Sequence, residues 1–226
     1  MLCQIKNRRL GMLDDLTNLQ ALLKDSTLLA TRGYIAGEWC DGENGQTFPV
    51  YNPARGDVIT DVADISRTQT AEAISIAEKA QKLWAARPAK ERSNLLRNWY
   101  NLMMENQEDL ATILTAEQGK PIEEAKGEIA YGASFIEFFA EEAKRVYGET
   151  IPGHQSDKRI TVLKQPVGVA ASITPWNFPN AMITRKAGPA LAAGCAFIAR
   201  PAAETPLSAL AMGILADRAG LPKGIL

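Results

Sequence analysis

Histidine and cysteine are nearly missing from this 226-residue chain, which has one histidine, His154, and three cysteines, Cys3, Cys40 and Cys195. Cysteines so few and scattered cannot frame a disulfide scaffold, and one histidine does not make a zinc site. Ser-His-Asp or Cys-His chemistry would need His154 as its base, yet it sits in Pro152-Gly153-His154-Gln155, which reads as a turn carrying a solvated histidine. An excess of either charge is lacking too. Twenty-five Lys and Arg against 26 Asp and Glu leave a net −1, so no long-range field draws nucleic acid or an anionic membrane. No basic cluster with interleaved aromatics occurs either. The longest weakly polar stretch, 187–199, is broken by Gly188, Pro189 and Gly194. It falls short of the roughly 18 residues that suggest a membrane span. Lys6, Arg8 and Arg9 are followed by no apolar core, and Asp14 and Asp15 run against a transit peptide, so the cytoplasm is the expected compartment. Internal repeats and low-complexity tracts are absent.

Against these absences stand clear local patterns in a chain long enough for one large or two modest domains. Residues 1–24 read as an N-terminal extension with a short helix expected at 13–23. Tyr34-Ile35-Ala36-Gly37-Glu38-Trp39, followed by Asp41-Gly42, predicts a strand entering a tight turn. Phe48-Pro49-Val50-Tyr51-Asn52-Pro53, followed by Arg55-Gly56-Asp57, predicts a second strand and turn. Over 70–85 the apolar positions Ile74, Ala77, Ala80 and Trp84 recur at helical spacing until Pro88 breaks the segment. Leu95, Leu96, Trp99, Leu102, Met103, Leu110, Ile113 and Leu114 mark one or two further helices. In Glu117-Gln118-Gly119-Lys120-Pro121, Gly119 suits a helix C-terminus and Pro121 the first turn of the next helix. That helix runs to about residue 146, and its Ile129, Phe135, Ile136, Phe138 and Phe139 read as core packing.

After Gly148 the texture changes. Residues 149–151 and 160–164 read as strands of a projecting hairpin over 149–164. Small and β-branched residues over 168–173 predict a strand buried on both faces. A small-residue helix follows over 180–193, then a second buried strand over 195–199. Thr205 and Pro206 suit the N-cap and N1 of a helix ending near Gly220, and Ile225-Leu226 would open a third strand. Strand, helix, strand, helix is how a doubly wound α/β sheet begins. The expected fold class is therefore α/β. Strands and helices fill 25–148, and 165–226 is the incomplete start of a parallel-sheet domain. Two parallel strands alone would leave apolar edges bare, inviting aggregation or pairing with another chain.

Between the first parallel strand and its helix, a dinucleotide-binding turn would place Gly-x-Gly-x-x-Gly. Thr174-Pro175-Trp176-Asn177-Phe178-Pro179 stands there instead, too rigid and bulky to wrap a pyrophosphate in that way. At a strand's carboxyl end, Asn177 can point its amide into the crevice where such sheets bind ligands, and could stabilise an oxyanion there. The same residue serves equally well to close a turn.

Ile173-Thr174-Pro175-Trp176-Asn177-Phe178-Pro179 resembles the aldehyde dehydrogenase superfamily, as do Gly188-Pro189-Ala190-Leu191-Ala192-Ala193-Gly194-Cys195 and Glu117-Gln118-Gly119-Lys120-Pro121. Within it, Ala181-Met182-Ile183-Thr184-Arg185-Lys186 and Tyr147-Gly148-Glu149-Thr150-Ile151-Pro152-Gly153-His154 are most similar to the succinate-semialdehyde dehydrogenases. The likeness runs from about Lys24 to Leu226 and covers the amino-terminal half of the family's polypeptide. It implies a cysteine thiolate that attacks an aldehyde, a thiohemiacetal that gives hydride to NAD or NADP, and a glutamate-activated water that releases the acid. In that scheme Asn177 would be the oxyanion donor, while Ile173, Thr174, Pro175 and Trp176 would line the cofactor cleft. Arg185 would be one of the arginines gripping the far carboxylate of succinic semialdehyde, since a planar guanidinium can hold a carboxylate through two charge-assisted hydrogen bonds. Without the family, Arg185 reads as a solvated residue on the crossover helix.

Two departures and one gap shape the expectation. Arg200 stands where the family has a lysine bonded to the adenosine ribose, and Ala203 where relatives carry Ser or Glu. An arginine can accommodate a 2′-phosphate, so NADP is expected over NAD, with binding impaired at Ala203. The family's glycine motif, Glu-Leu-Gly-Gly base segment and Gly-Gln-x-Cys nucleophile segment are expected beyond Leu226. Cys3 in the tail, Cys40 in a turn after Trp39 and Cys195 at the start of a buried strand cannot replace the nucleophile. The expectation is a truncated succinate-semialdehyde dehydrogenase, inactive alone. The alternatives are half of a split enzyme completed in trans, or a non-catalytic partner of a full-length dehydrogenase. The 149–164 hairpin would serve subunit association, and no nucleic-acid, membrane or metal partner is expected.

Overall fold

A computed structural model describes residues 16–226. Cys3, the basic run and the start of the helix expected at 13–23 lie outside the described residues. The rest of that helix is α1 (Leu16–Leu22). β1 (Gly33–Ile35) and β2 (Glu38–Cys40) follow as an antiparallel pair. Between them Ala36 and Gly37 take φ of 57° and 78°, the two-residue turn whose twist matches its flanking strands. The single strand expected over 34–39 is therefore a hairpin, and Cys40 ends a strand instead of lying in a turn. Alanine rarely adopts positive φ, so nothing in the sequence announced it. Tyr34 Oη donates to Asp217 at 3.2 Å and Lys223 pairs with Glu38, fastening this hairpin to the end of the last helix and the turn that follows it. Burial and the Asp217 carboxylate push the Tyr34 hydroxyl up to about 12.

β3 (Thr47–Tyr51) and β4 (Val58–Ala63) form a second antiparallel hairpin, of which only the first strand was legible. α2 (Arg67–Ala85) starts earlier than periodicity indicated because Ser66 and Gln69 form a reciprocal capping box. Pro88 precedes α3 (Ala89–Glu105), and α4 (Gln107–Gln118) ends at Gly119 with φ 84°. α5 (Ile122–Glu142) has Pro121 at its N-cap, just before the first turn. On α5 only Ile129 and Ile136 of the expected core stripe are fully buried, whereas Phe135 and Phe139 are half-buried and Phe138 is 57% exposed. Phe138 stands two positions past Ile136, about 200° round the helix and so opposite the stripe of Ile129 and Ile136, which overturns the core reading for it.

β5 (Glu149–Pro152) pairs antiparallel with β6 (Arg159–Val162); every residue of both strands is exposed, as is His154 in their link. β7 (Val169–Ile173) and β8 (Ala196–Arg200) are parallel, joined through α6 (Ala181–Ala193), and α7 (Pro206–Arg218) follows. Phe197 N–H donates to the Ile225 carbonyl at 2.8 Å, so residue 225 lies beside β8 without forming a strand. β7 is not buried on both faces, because Ala171 is exposed and Ile173 is 76% exposed. No helix among the described residues is long and apolar enough to cross a membrane.

One core joins the helices to the parallel strands. Trp84 and Trp99 are fully buried, and each indole N–H is satisfied, by the Leu191 carbonyl at 2.9 Å and the Met212 carbonyl at 3.1 Å. α5 and α6 approach closely over small residues. A Cβ on Gly132 would stand 2.2 Å from Asn180 Oδ1, whereas one on Gly127, farther up α5, would meet nothing. Gly132→Ala should therefore destabilise the chain by about 1–3 kcal/mol through overpacking. Gly127→Ala should stabilise it by roughly 0.5–1 kcal/mol through helix propensity. Urea unfolding of both variants checks the pair.

Candidate active site

The carboxyl ends of β7 and β8 lie side by side, with Ile173 opposite Arg200. This is where parallel α/β sheets present residues to ligands. Thr174 is buried, and its N–H donates to the Arg200 carbonyl at 3.1 Å, tying the two ends together. Beyond it Pro175, Trp176 and Asn177 are exposed, Trp176 by 53%. The Asn177 side chain makes no hydrogen bond among the described residues, but its carbonyl accepts from Lys120 Nζ at 3.2 Å.

Arg200 and Ala203 are also exposed, and both line a largely apolar groove of about 690 Å³ between β8–α7 and the β1–β2 hairpin. The Arg200 guanidinium has no ion pair among the described residues. Residues 173–177 do not line this groove. The predicted residues therefore share one rim, the adenosine candidates facing the groove and the Asn177 loop lying outside it. Arg185 is apart from both. It is exposed on α6, its guanidinium 5.6 Å from the centre of the Phe135 ring. Cys195 is buried immediately before β8, and Cys40 donates weakly to the Gly33 carbonyl at 3.5 Å. Burial pushes the Cys40 thiol above its ordinary value, which disfavours the thiolate. Among the described residues no group of His, Cys, Asp and Glu could hold a metal.

Two buried carboxylates that sequence reasoning did not single out organise the rim. Glu128 of α5 accepts through Oε1 from the N–H groups of Asn180 (3.0 Å) and Ala181 (3.3 Å), at the start of α6. Glu117 of α4 accepts from Leu207 and Ser208, both at 2.7 Å, at the start of α7. A helix leaves its first N–H groups unpaired, so an anion there is doubly favoured. Thr205 occupies the N-cap position expected of it, but its side chain makes no capping bond. A signal existed: Glu128 falls on the buried stripe of Ala125, Ile129 and Gly132, and Glu117 on that of Ile113 and Leu114. A carboxylate on an apolar face must find a partner.

Residues 39–226 match the aldehyde dehydrogenase family, and the chain belongs to it. It is 61% identical over 203 residues to the glutarate-semialdehyde dehydrogenase of Pseudomonas aeruginosa. It is 60% identical over 203 residues to the NADP(+) succinate-semialdehyde dehydrogenase of Escherichia coli. Each alignment covers 90% of this chain and 42% of the relative. The fold overlays the crystal structure of an aldehyde dehydrogenase from Brucella melitensis with a TM-score of 0.89 and 57% identity, over 90% of this chain and 42% of that one. The chain thus spans under half the length of the curated relatives it matches.

Burial pushes the Glu117 carboxyl up to about 7 from its ordinary 4.5, against the pull of the bonds it receives at the start of α7. Between those pH values the folded state holds a proton that the unfolded chain has released, so Glu117 makes stability fall as pH rises. Glu117→Gln should flatten that part of the profile. At the upper end of that range, where Glu117 ionises, it should also cost about 1–3 kcal/mol, because one carbonyl oxygen cannot serve both N–H groups as the carboxylate does. Denaturation midpoints of both proteins from pH 4.5 to 7 test this.

Proposed function

We propose that this chain supplies the amino-terminal part of an NAD(P)-dependent oxidation of a short dicarboxylic semialdehyde. It brings the oxyanion donor, Asn177, and the adenosine-side contacts, but neither nucleophile nor base. The observation that carries this reading is Asn177 itself, exposed on an anchored loop where two parallel strands end, its amide without a partner among the described residues. Relatives named for glutarate and succinate semialdehydes support the substrate class. Arg185, exposed on α6, would grip the distal carboxylate.

The residues present fit the adenosine end of a dinucleotide, which when bound supplies the hydride acceptor. Ile173, Pro175 and Trp176, exposed on the rim outside the groove with Thr174 buried behind them, would border the cofactor cleft, and Arg200 in the groove would meet a 2′-phosphate, favouring NADP. Ala203 offers the ribose no hydrogen bond, which weakens that contact. Neither α6 nor α7 offers its N-terminus to the pyrophosphate, because Glu128 and Glu117 already fill them. The reading divides the chain into strands and helices over 25–148, an association hairpin over 149–164 and a cofactor segment over 165–226.

The chain alone should give no reduced dinucleotide with succinic or glutaric semialdehyde and NADP or NAD; turnover would sink the proposal. Joined to the remainder of a family polypeptide it should turn over, and Asn177→Ala should then lower kcat by ~10²–10³. Calorimetry with 2′-phosphoadenosine diphosphoribose and its unphosphorylated counterpart tests cofactor choice. Arg200→Ala should weaken the first by about tenfold or more and leave the second unchanged.

A further inference from the structure

The loop carrying Asn177 is gripped by a single buried ion pair. Gly119, with φ 84°, turns the chain out of α4, and a Cβ there would come within 2.9 Å of Pro53. Lys120 follows. Its Nζ lies 2.5 Å from Glu128 Oε2, 3.2 Å from the Asn177 carbonyl oxygen and 3.9 Å from the centre of the Phe178 ring. The other Glu128 oxygen receives the Asn180 and Ala181 N–H groups. The pair therefore reaches the loop before and after Pro179. Its members are among the least accessible charged side chains described, at 12% exposure for Lys120 and 1% for Glu128.

Burial in this place has a physical consequence. A charge-assisted hydrogen bond shielded from water resists displacement far better than a surface pair does. Among the described residues the Asn177 side chain has no hydrogen-bond partner, so its backbone sets where the amide lies. An oxyanion donor acts through being in place before the charge develops, and misplacement by about 1 Å can cost ~10²-fold in rate.

We propose that Lys120 and Glu128 are positioning residues that hold Asn177 where an oxyanion would form, through its carbonyl, the Phe178 ring and the first N–H groups of α6. The proposal rests on the reading of Asn177 as oxyanion donor given above, and the test separates the two. Amide hydrogen exchange is measured at Asn180, Ala181 and Met182 in the whole chain, for Lys120→Met, Lys120→Arg and Phe178→Leu. Lys120→Met should speed exchange at these amides by about tenfold while α3 amides are unchanged, and Lys120→Arg should restore most of the protection. Phe178→Leu alters an exposed ring that the fold can spare, and should give a smaller, roughly two- to fivefold rise. It decides the matter if Lys120→Met fails to fold. Unchanged exchange at these amides, or equal acceleration in α3, overturns the proposal. In a full-length polypeptide carrying this chain, Lys120→Met should lower kcat while leaving KM nearly unchanged. If Asn177→Ala there leaves kcat intact while Lys120→Met still loosens the loop, the oxyanion reading falls and the clamp stands.

Discussion

Carboxylates on α4 and α5 hold backbone amides that belong to distant parts of the chain. Asp109 receives the N–H groups of Lys24 and Asp25 at 3.0 and 2.8 Å, Glu117 those at the start of α7, and Glu128 those at the start of α6. Each satisfies two backbone donors, and each carboxylate would be costly to bury without them. The parallel strands, their helices and the helical layer are therefore not separable units. Without α4 and α5, the first turns of α6 and α7 would open into an apolar interface with nothing to bond. The two capping glutamates differ in their surroundings. Glu128 has Lys120 beside it, while Glu117 has no cation within bonding distance among the described residues and answers burial by holding its proton longer.

This wiring also explains why the strand ends do not carry a glycine-rich turn. In the usual dinucleotide fold the first helix offers bare N–H groups to a pyrophosphate, and glycines let the backbone approach. Here that helix is capped from within, so the first N–H groups that would meet a pyrophosphate are already bonded to Glu128. The connecting loop can hold Pro175, Trp176 and Phe178, whose stiffness and bulk suit a fixed platform for Asn177.

What the sequence disclosed was whatever depends on near neighbours. The helical stripe of α2, the stop at Gly119, the restart at Pro121 and the alternation of strands and helices after residue 168 all follow from local rules. What it hid was settled at a distance or by an unusual local choice. Thr205 has the right chemistry for a cap, yet Glu117, far upstream, makes the bonds. The Ala36-Gly37 turn needs a left-handed alanine, which composition does not advertise. β7 looked doubly buried because its residues are small and branched, but exposure depends on what packs against it. The candidate site was legible only as a loop with an asparagine in it, whose role remains a proposal; the ion pair beneath it was not, because Lys120 and Glu128 meet only once α4 turns and α5 packs on α6.

Both capping glutamates come before their helices in the chain, and that order carries a consequence for synthesis. A polypeptide leaves the ribosome from its amino terminus at roughly 5–20 residues per second. The layer containing Glu117 and Glu128 is thus exposed for some seconds before α6 and α7 emerge. During that interval both carboxyl groups face water. The carboxyl groups that bond the first turns of α6 and α7 are therefore already in the chain when those helices emerge, whereas pairing of β7 with β8 must await the later strand.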